Sequence, residues 1–195
     1  MMDTATGPRP SPGREYRLVA HPDRPPRAVD AVIVEVLWDG DELLLTFIVE
    51  GLEHVALPDR MAPSRTDGLW KTTCCELFLA PVGSDNYFEF NYAPSTQWAA
   101  YRFDSYRAGG CDLALSVEPY VDRGDPSSAS ASPYLVEVDQ DFSDLPPGPL
   151  RMSLTAVIEE TDGTKSYWAL AHAPGPPDFH NRATFIATLP ALAHP

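Results

Sequence analysis

Basic residues are scarce in this chain. It has 195 residues, with 14 Lys and Arg against 28 Asp and Glu, a formal net charge of −14. A surface of that sign repels phosphate backbones, so nucleic acid is not expected as a partner. Anionic membrane surfaces are disfavoured for the same reason. Cysteine is also scarce: three residues, with Cys74 and Cys75 adjacent and Cys111 alone. Neighbours on a strand point to opposite faces and rarely bridge, and no CxxC or Cys/His metal spacing is present. Reduced thiols are therefore expected, and a metal site is not. No hydrophobic run approaches the length of a membrane span. The segment Met1-Met2-Asp3-Thr4-Ala5-Thr6-Gly7-Pro8 has no apolar h-region, which leads us to expect a cytoplasmic location. There is no internal repeat and no long amphipathic helix. There is also no GxSxG and no Cys flanked by a local base, which counts against covalent catalysis.

What the chain does have is proline, 21 residues spread between apolar runs rather than inside them. That suits many strands joined by turns and loops. The first 13 residues are polar and rich in Pro and Gly, and are read as a disordered tail. Residues 14–190 are read as one domain. Strands are predicted over Arg14–Ala20, Val29–Trp38, Glu42–Glu50, Thr73–Ala80, Tyr87–Tyr92, Trp98–Asp104, Leu113–Tyr120, Pro133–Asp139, Arg151–Glu159, Ser166–Ala173 and Ala183–Leu189. Asp39-Gly40-Asp41 marks a hairpin turn. His54–Leu57 reads as short and extended. Residues 122–132 are low-complexity Ser, Ala, Gly and Pro, and read as a mobile excursion. Phe142–Pro147 has room for a single helical turn at most. This pattern predicts an all-β, single-domain antiparallel sandwich, jelly-roll or immunoglobulin-like, with about ten strands and long Pro/Gly-rich loops.

Strand parity sorts side chains into two faces. Cys75, Leu77 and Leu79 read as core, which puts Glu76 on the opposite face with Cys74 and Phe78. Glu89 and Asn91 share a face of their strand with Tyr87. In the next strand Trp98, Arg102 and Asp104 oppose Tyr101 and Phe103. Near the C-terminus Trp168 and His172 share a face. If these strands neighbour one another, Glu76, Glu89, Asn91, Trp98, Arg102, Trp168 and His172 converge. Trp70, on a loop at the sheet rim, joins them, and His172 and His180 flank a Pro-rich loop beside them. Such a mixture suits sugar recognition: indoles stack on the apolar faces of pyranose rings, while carboxylates, amides and guanidinium take the hydroxyls. A solvated outer sheet face with cross-strand ion pairs would carry similar residues. For Trp98 a place in the core is the plainer reading.

Trp70, six residues ahead of Glu76 on a Glu-Leu-Phe-Leu strand, resembles the ligand-binding strand of family 9 carbohydrate-binding modules. There the matching Trp and Glu contact the sugar. Phe88-Glu89-Phe90-Asn91 resembles the next strand, whose matching amide also contacts sugar. With Trp98–Phe103 and Tyr167–His172 added, the chain is most similar to bacterial DOMON-like proteins, relatives of that module. The resemblance spans residues 15–190. It implies a β-sandwich whose sheet face binds a small polar ligand, with Trp168 as second stacking ring. The calcium sites of family 9 have no clear counterpart here. Related DOMON domains hold haem through Met with His or Lys, which makes Met61 or Met152 with His172 or His180 the residues to consider.

Three functions follow as expectations. The first is a carbohydrate-binding module using Trp70, Glu76, Glu89, Asn91, Arg102, Trp168, His172 and His180. The second is a cofactor-independent acid–base enzyme, a lyase, isomerase or hydratase, using Lys71, Glu76, Glu89 and His172. The third is a haem domain. A binder would pair its carboxylates with Arg102 or Lys71; an enzyme would hold one in a dry pocket.

Overall fold

A computed structural model describes residues 13–124 and 134–192. Residues 1–12 of the expected tail and most of the 122–132 excursion lie outside the described residues. The described residues form thirteen strands and three short 3₁₀ turns and contain no α-helix. The strands are β1 Arg14–Arg17, β2 Val19–Ala20, β3 Ala31–Asp39, β4 Glu42–Glu50, β5 Cys74–Pro81, β6 Tyr87–Tyr92, β7 Trp98–Phe103, β8 Cys111–Asp112, β9 Tyr120–Asp122, β10 Tyr134–Asp141, β11 Gly148–Glu159, β12 Lys165–Ala169 and β13 Ala187–Leu192. They form two antiparallel sheets. One has the order β1-β3-β4-β10-β9; the other runs β2-β12-β11-β5-β6-β7-β8, with β13 also on β11. The expected all-β sandwich is what the chain forms.

Alternation builds the first sheet. Val32, Val34, Val36 and Trp38 of β3 and Leu43, Leu45, Phe47 and Val49 of β4 turn inward and are buried. Asp39 pairs with Glu42 across a two-residue turn, and Gly40 opens it at φ 62°, where glycine carries no Cβ penalty. The facing sheet contributes Cys75, Leu77 and Leu79 from β5, Phe88, Phe90 and Tyr92 from β6, and Met152, Leu154, Ala156 and Ile158 from β11. Each fully buried Leu, Val or Phe contributes roughly 1.5–3 kcal/mol over its exposed state.

Two predicted strands are interrupted for one reason: the chain changes sheets. Arg14–Arg17 pairs with β3, while Val19–Ala20 pairs with β12, and Leu18 makes the corner with its N–H on the Val32 carbonyl. The expected strand Leu113–Tyr120 is a crossing. β8 ends the second sheet beside β7 and β9 ends the first beside β10. Between them Ser116 gives its amide and hydroxyl to Asp144 rather than to a ladder. Phe142–Pro147 makes a turn, Leu145 N–H to the Phe142 carbonyl, and no helix.

The C-terminal third positions the site. β12 pairs with the Thr155–Glu159 end of β11, and β13 with the Gly148–Met152 end, on the same edge. The chain leaves the sheet after Ala169 and rejoins it at Ala187. The strap between, residues 170–186, carries Pro174, Pro176 and Pro177, which have no N–H to give a ladder. The predicted strand to Ala173 stops four residues early: Leu170 N–H still reaches the Leu154 carbonyl, and the chain then leaves the ladder. A 3₁₀ turn at Arg182–Thr184, capped by the Asn181 side chain, likewise delays the last strand to Ala187.

Candidate functional site

The centre of the second sheet is buried on both faces. Every residue of β6 is buried, as is every residue of β5 except Pro81. Its outer face is covered by the strap and by the 3₁₀ turn Leu69–Lys71. Register aligns that face into rows: Thr155, Glu76, Asn91 and Ala99 in one, Ser153, Phe78, Glu89 and Tyr101 in the next. Above them lies a cleft of about 410 Å³. Glu76, Glu89, Phe78 and Val157 line it from the sheet, Trp70, Tyr101, Phe103 and Tyr167 from its rim, and Arg107, Pro177, Phe179 and His180 from the loops. That size suits a small ligand.

Trp70 is presented by a turn that begins at Gly68, whose φ of 78° favours glycine. Leu69 anchors the turn among Cys74, Ala93 and Ala99, and Trp70 stays 43% exposed. Its indole stands edge-on to Tyr101, ring centres 6.1 Å apart. Tyr101 is fixed in turn. Its hydroxyl donates to Asp67 at 2.7 Å, and the Arg65 guanidinium lies over the ring at 5.2 Å.

The residues Glu76 and Glu89 are 2% and 5% exposed. Thr155 donates to Glu76 Oε2 at 3.1 Å, and Asn91 donates to Glu89 Oε1 at 2.8 Å. Burial pushes the Glu76 carboxyl well above its ordinary range, the neighbouring Glu89 adds to the rise, and the Thr155 bond opposes it. Burial also raises Glu89, against the Asn91 bond and the Arg107 charge.

His180 hangs from the strap over this floor. Its Nδ1 lies 2.8 Å from the Tyr87 hydroxyl, which accepts the Arg107 backbone N–H at 3.2 Å. We assign the Tyr87 hydroxyl as donor to His180 Nδ1, which places the ring proton on Nε2, facing Glu89 Oε2 at 3.7 Å. Burial, helped by the Arg107 charge, lowers the His180 pKa to about 4. The ring is neutral at pH 7, so its contact with Glu89 is polar and not an ion pair. Among the described residues, Arg107 is the one Lys or Arg on the cleft wall. Its guanidinium is bound by Asp178 at 2.8 Å, which ties the loop after β7 to the strap.

The structure brings Trp70, Glu76, Glu89 and His180 into one cleft, with Asn91 in contact beneath. It does not bring the others. Arg102 pairs with Phe88, on the opposite parity to Glu89, and meets Asp104 at 3.0 Å in solvent. Trp168 and Trp98 are buried in the core between the sheets, and Trp168 Nε1 donates to Ser166. Tyr167 therefore takes the outer face that we expected Trp168 to hold. Lys71 is exposed and does not line the cleft. His172 contacts Phe179 but stands outside the wall, its Nε2 on the Val19 carbonyl at 2.8 Å and its ring against His21. Met152 is in the core and Met61 is exposed on a loop, so neither joins His180. Among the described residues, no group of three His, Cys, Asp or Glu is arranged to hold a metal ion.

The sequence reading missed Tyr101, Phe103, Arg107, Tyr167 and Phe179. One signal was present: if Trp98 is core, Arg102 shares its parity and Tyr101 and Phe103 turn to the site.

No family model and no curated protein matches the sequence. Among solved structures, the chain is similar to a "putative carbohydrate-binding protein" from Bacteroides uniformis. The TM-score is 0.62 at 18% identity, covering 91% of this chain and 85% of the other. Identity that low establishes the likeness of fold.

Proposed function

We propose that the cleft binds a carbohydrate. The observation that carries this reading is the pairing of aromatic walls, Trp70 and Tyr101, with two buried carboxyl groups on a rigid sheet floor. Rings of that kind pack on the apolar face of a sugar, and fixed carboxyl, imidazole and guanidinium groups meet its hydroxyls. The Bacteroides neighbour supports the reading through its description, and the likeness of Trp70 and Glu76 to the sugar-contacting pair of family 9 modules supports it independently. Membership of the DOMON-like group belongs to the same proposal.

Isothermal titration against a panel of mono- and disaccharides tests it. Saturable binding is expected, and Glu76→Gln abolishes it while keeping the circular dichroism spectrum and a cooperative melting transition. Unchanged affinity in that variant removes Glu76 from the site, and absence of binding across the panel removes the reading.

A second reading is favoured by the chain from Tyr87 through His180 to Glu89. A base oriented by a third group beside a buried carboxyl can move a proton on a bound metabolite without a cofactor. In that reading His180 fills the place expected of His172 and Lys71. Proton NMR of each saccharide in D₂O detects turnover or solvent exchange, and Glu89→Gln stops it.

A further inference from the structure

The charges around the cleft do not balance within the protein. Glu76 Oε2 is held by Thr155 and Glu89 Oε1 by Asn91, both neutral donors. Glu89 Oε2 faces the imidazole of His180 at 3.7 Å. Among the described residues no hydrogen bond reaches Glu76 Oε1. Arg107, the one guanidinium on the wall among the described residues, is spent on Asp178. The cations that could have answered the carboxyl groups point elsewhere, Arg102 to Asp104 and Lys71 to solvent. Buried carboxylates are ordinarily paired, and an unpaired one is costly to ionise. The charge pattern is that of a site whose ligand brings the cation.

Two further features point the same way. The rim is a set of aromatic faces, Trp70, Tyr101 and Tyr167 among them, whose quadrupoles attract a cation held close by. The net charge of −14 draws cations toward the molecule and raises their local concentration in acidic clefts. A neutral sugar satisfies the rings and offers the carboxyl groups hydroxyl donors but no charge. An acidic sugar brings a further carboxylate against two buried carboxyl groups that already disfavour each other's ionisation.

We propose that the cleft selects an amino sugar, its ammonium received by Glu76 and Glu89 and its ring face held by Trp70 and Tyr101. This inference rests on the carbohydrate reading above.

Calorimetric titration of the full chain at pH 7 tests it with matched sets. Glucosamine is compared with glucose, N-acetylglucosamine and glucuronate, galactosamine with galactose and its counterparts, and choline serves as a non-sugar cation. We expect one amine to bind about tenfold or more tighter than its neutral parent and its N-acetyl form, with the uronate weakest. We expect Glu89→Gln and Glu76→Gln each to erase that preference; the two variants are independent, and either suffices if the other fails to fold by its melting curve. A parent sugar that binds as tightly as its amine, or a preference that survives in both variants, overturns the inference and leaves the carbohydrate reading standing. Choline binding without any sugar binding, or no binding at all, overturns both.

Discussion

Asn91 Nδ2 donates a 2.8 Å hydrogen bond to Glu89 Oε1, two residues along the same face of β6. Asn91 is fully buried and does not line the cleft, so it sets the carboxyl group rather than meeting what the cleft holds. A bond to the ionised form favours that form, so Asn91 restrains the rise that burial imposes on Glu89. Asn91→Leu is expected to move the Glu89 titration midpoint upward, read from the Glu89 side-chain carboxyl resonance by carbon NMR. An unmoved midpoint contradicts this role.

Trp70 and Trp168 separate binding from stability. Trp168 is buried between the sheets, and Trp168→Ala is expected to cost about 3–5 kcal/mol of folding stability. Trp70 stands half-exposed at the rim, and Trp70→Ala is expected to cost less than about 1 kcal/mol while reducing ligand affinity. Urea denaturation and titration of both variants give the comparison. Equal losses of stability would place Trp70 in a structural role.

Glu76 and His180 pull the pH dependence of stability in opposite directions. Glu76 holds its proton more tightly folded than unfolded. Its contribution is therefore greatest below its ordinary value of 4.5 and declines as pH rises from there toward the raised folded value. His180 holds its proton less tightly folded, about 4 against 6.5. Its contribution is complete above 6.5 and is lost as pH falls to about 4, on the order of 3 kcal/mol at most. Glu76→Gln should gain stability over the parent as pH rises, and His180→Asn as pH falls below 6.5. Denaturation curves from pH 4 to 8 decide it, and profiles parallel to the parent would contradict both assignments.

The sandwich was legible because alternation is a local signal. Val32, Val34 and Val36 opposite Leu43, Leu45 and Phe47 declare a hairpin with one buried face before any contact is known. Glu76, Glu89 and Asn91 were legible for the same reason, since their aliphatic neighbours occupy the other parity. Arg102 and Trp168 were misplaced because parity within a strand does not say which face meets which across strands. That is set by register, here by Tyr92 pairing with Trp98 and Val157 with Tyr167. The strap residues Phe179 and His180 were partly hidden, since a Pro-rich connection carries no periodicity to say where it lies. Arg107 gave no sign at all. It reaches the cleft through a left-handed backbone at φ 51° in a loop, and its partner Asp178 is 71 residues away in sequence.

The account stands most directly on Trp70 meeting a sugar in this cleft. The other three tryptophans are no more than 7% exposed, so a ligand that enters the cleft should act on the emission of Trp70 alone. We would titrate the protein with saccharides and follow intrinsic tryptophan fluorescence, with Trp70→Phe alongside. The account predicts a saturable change in intensity and a blue shift for at least one sugar, and none in the variant. No change with any saccharide, or the same change in Trp70→Phe, would contradict it.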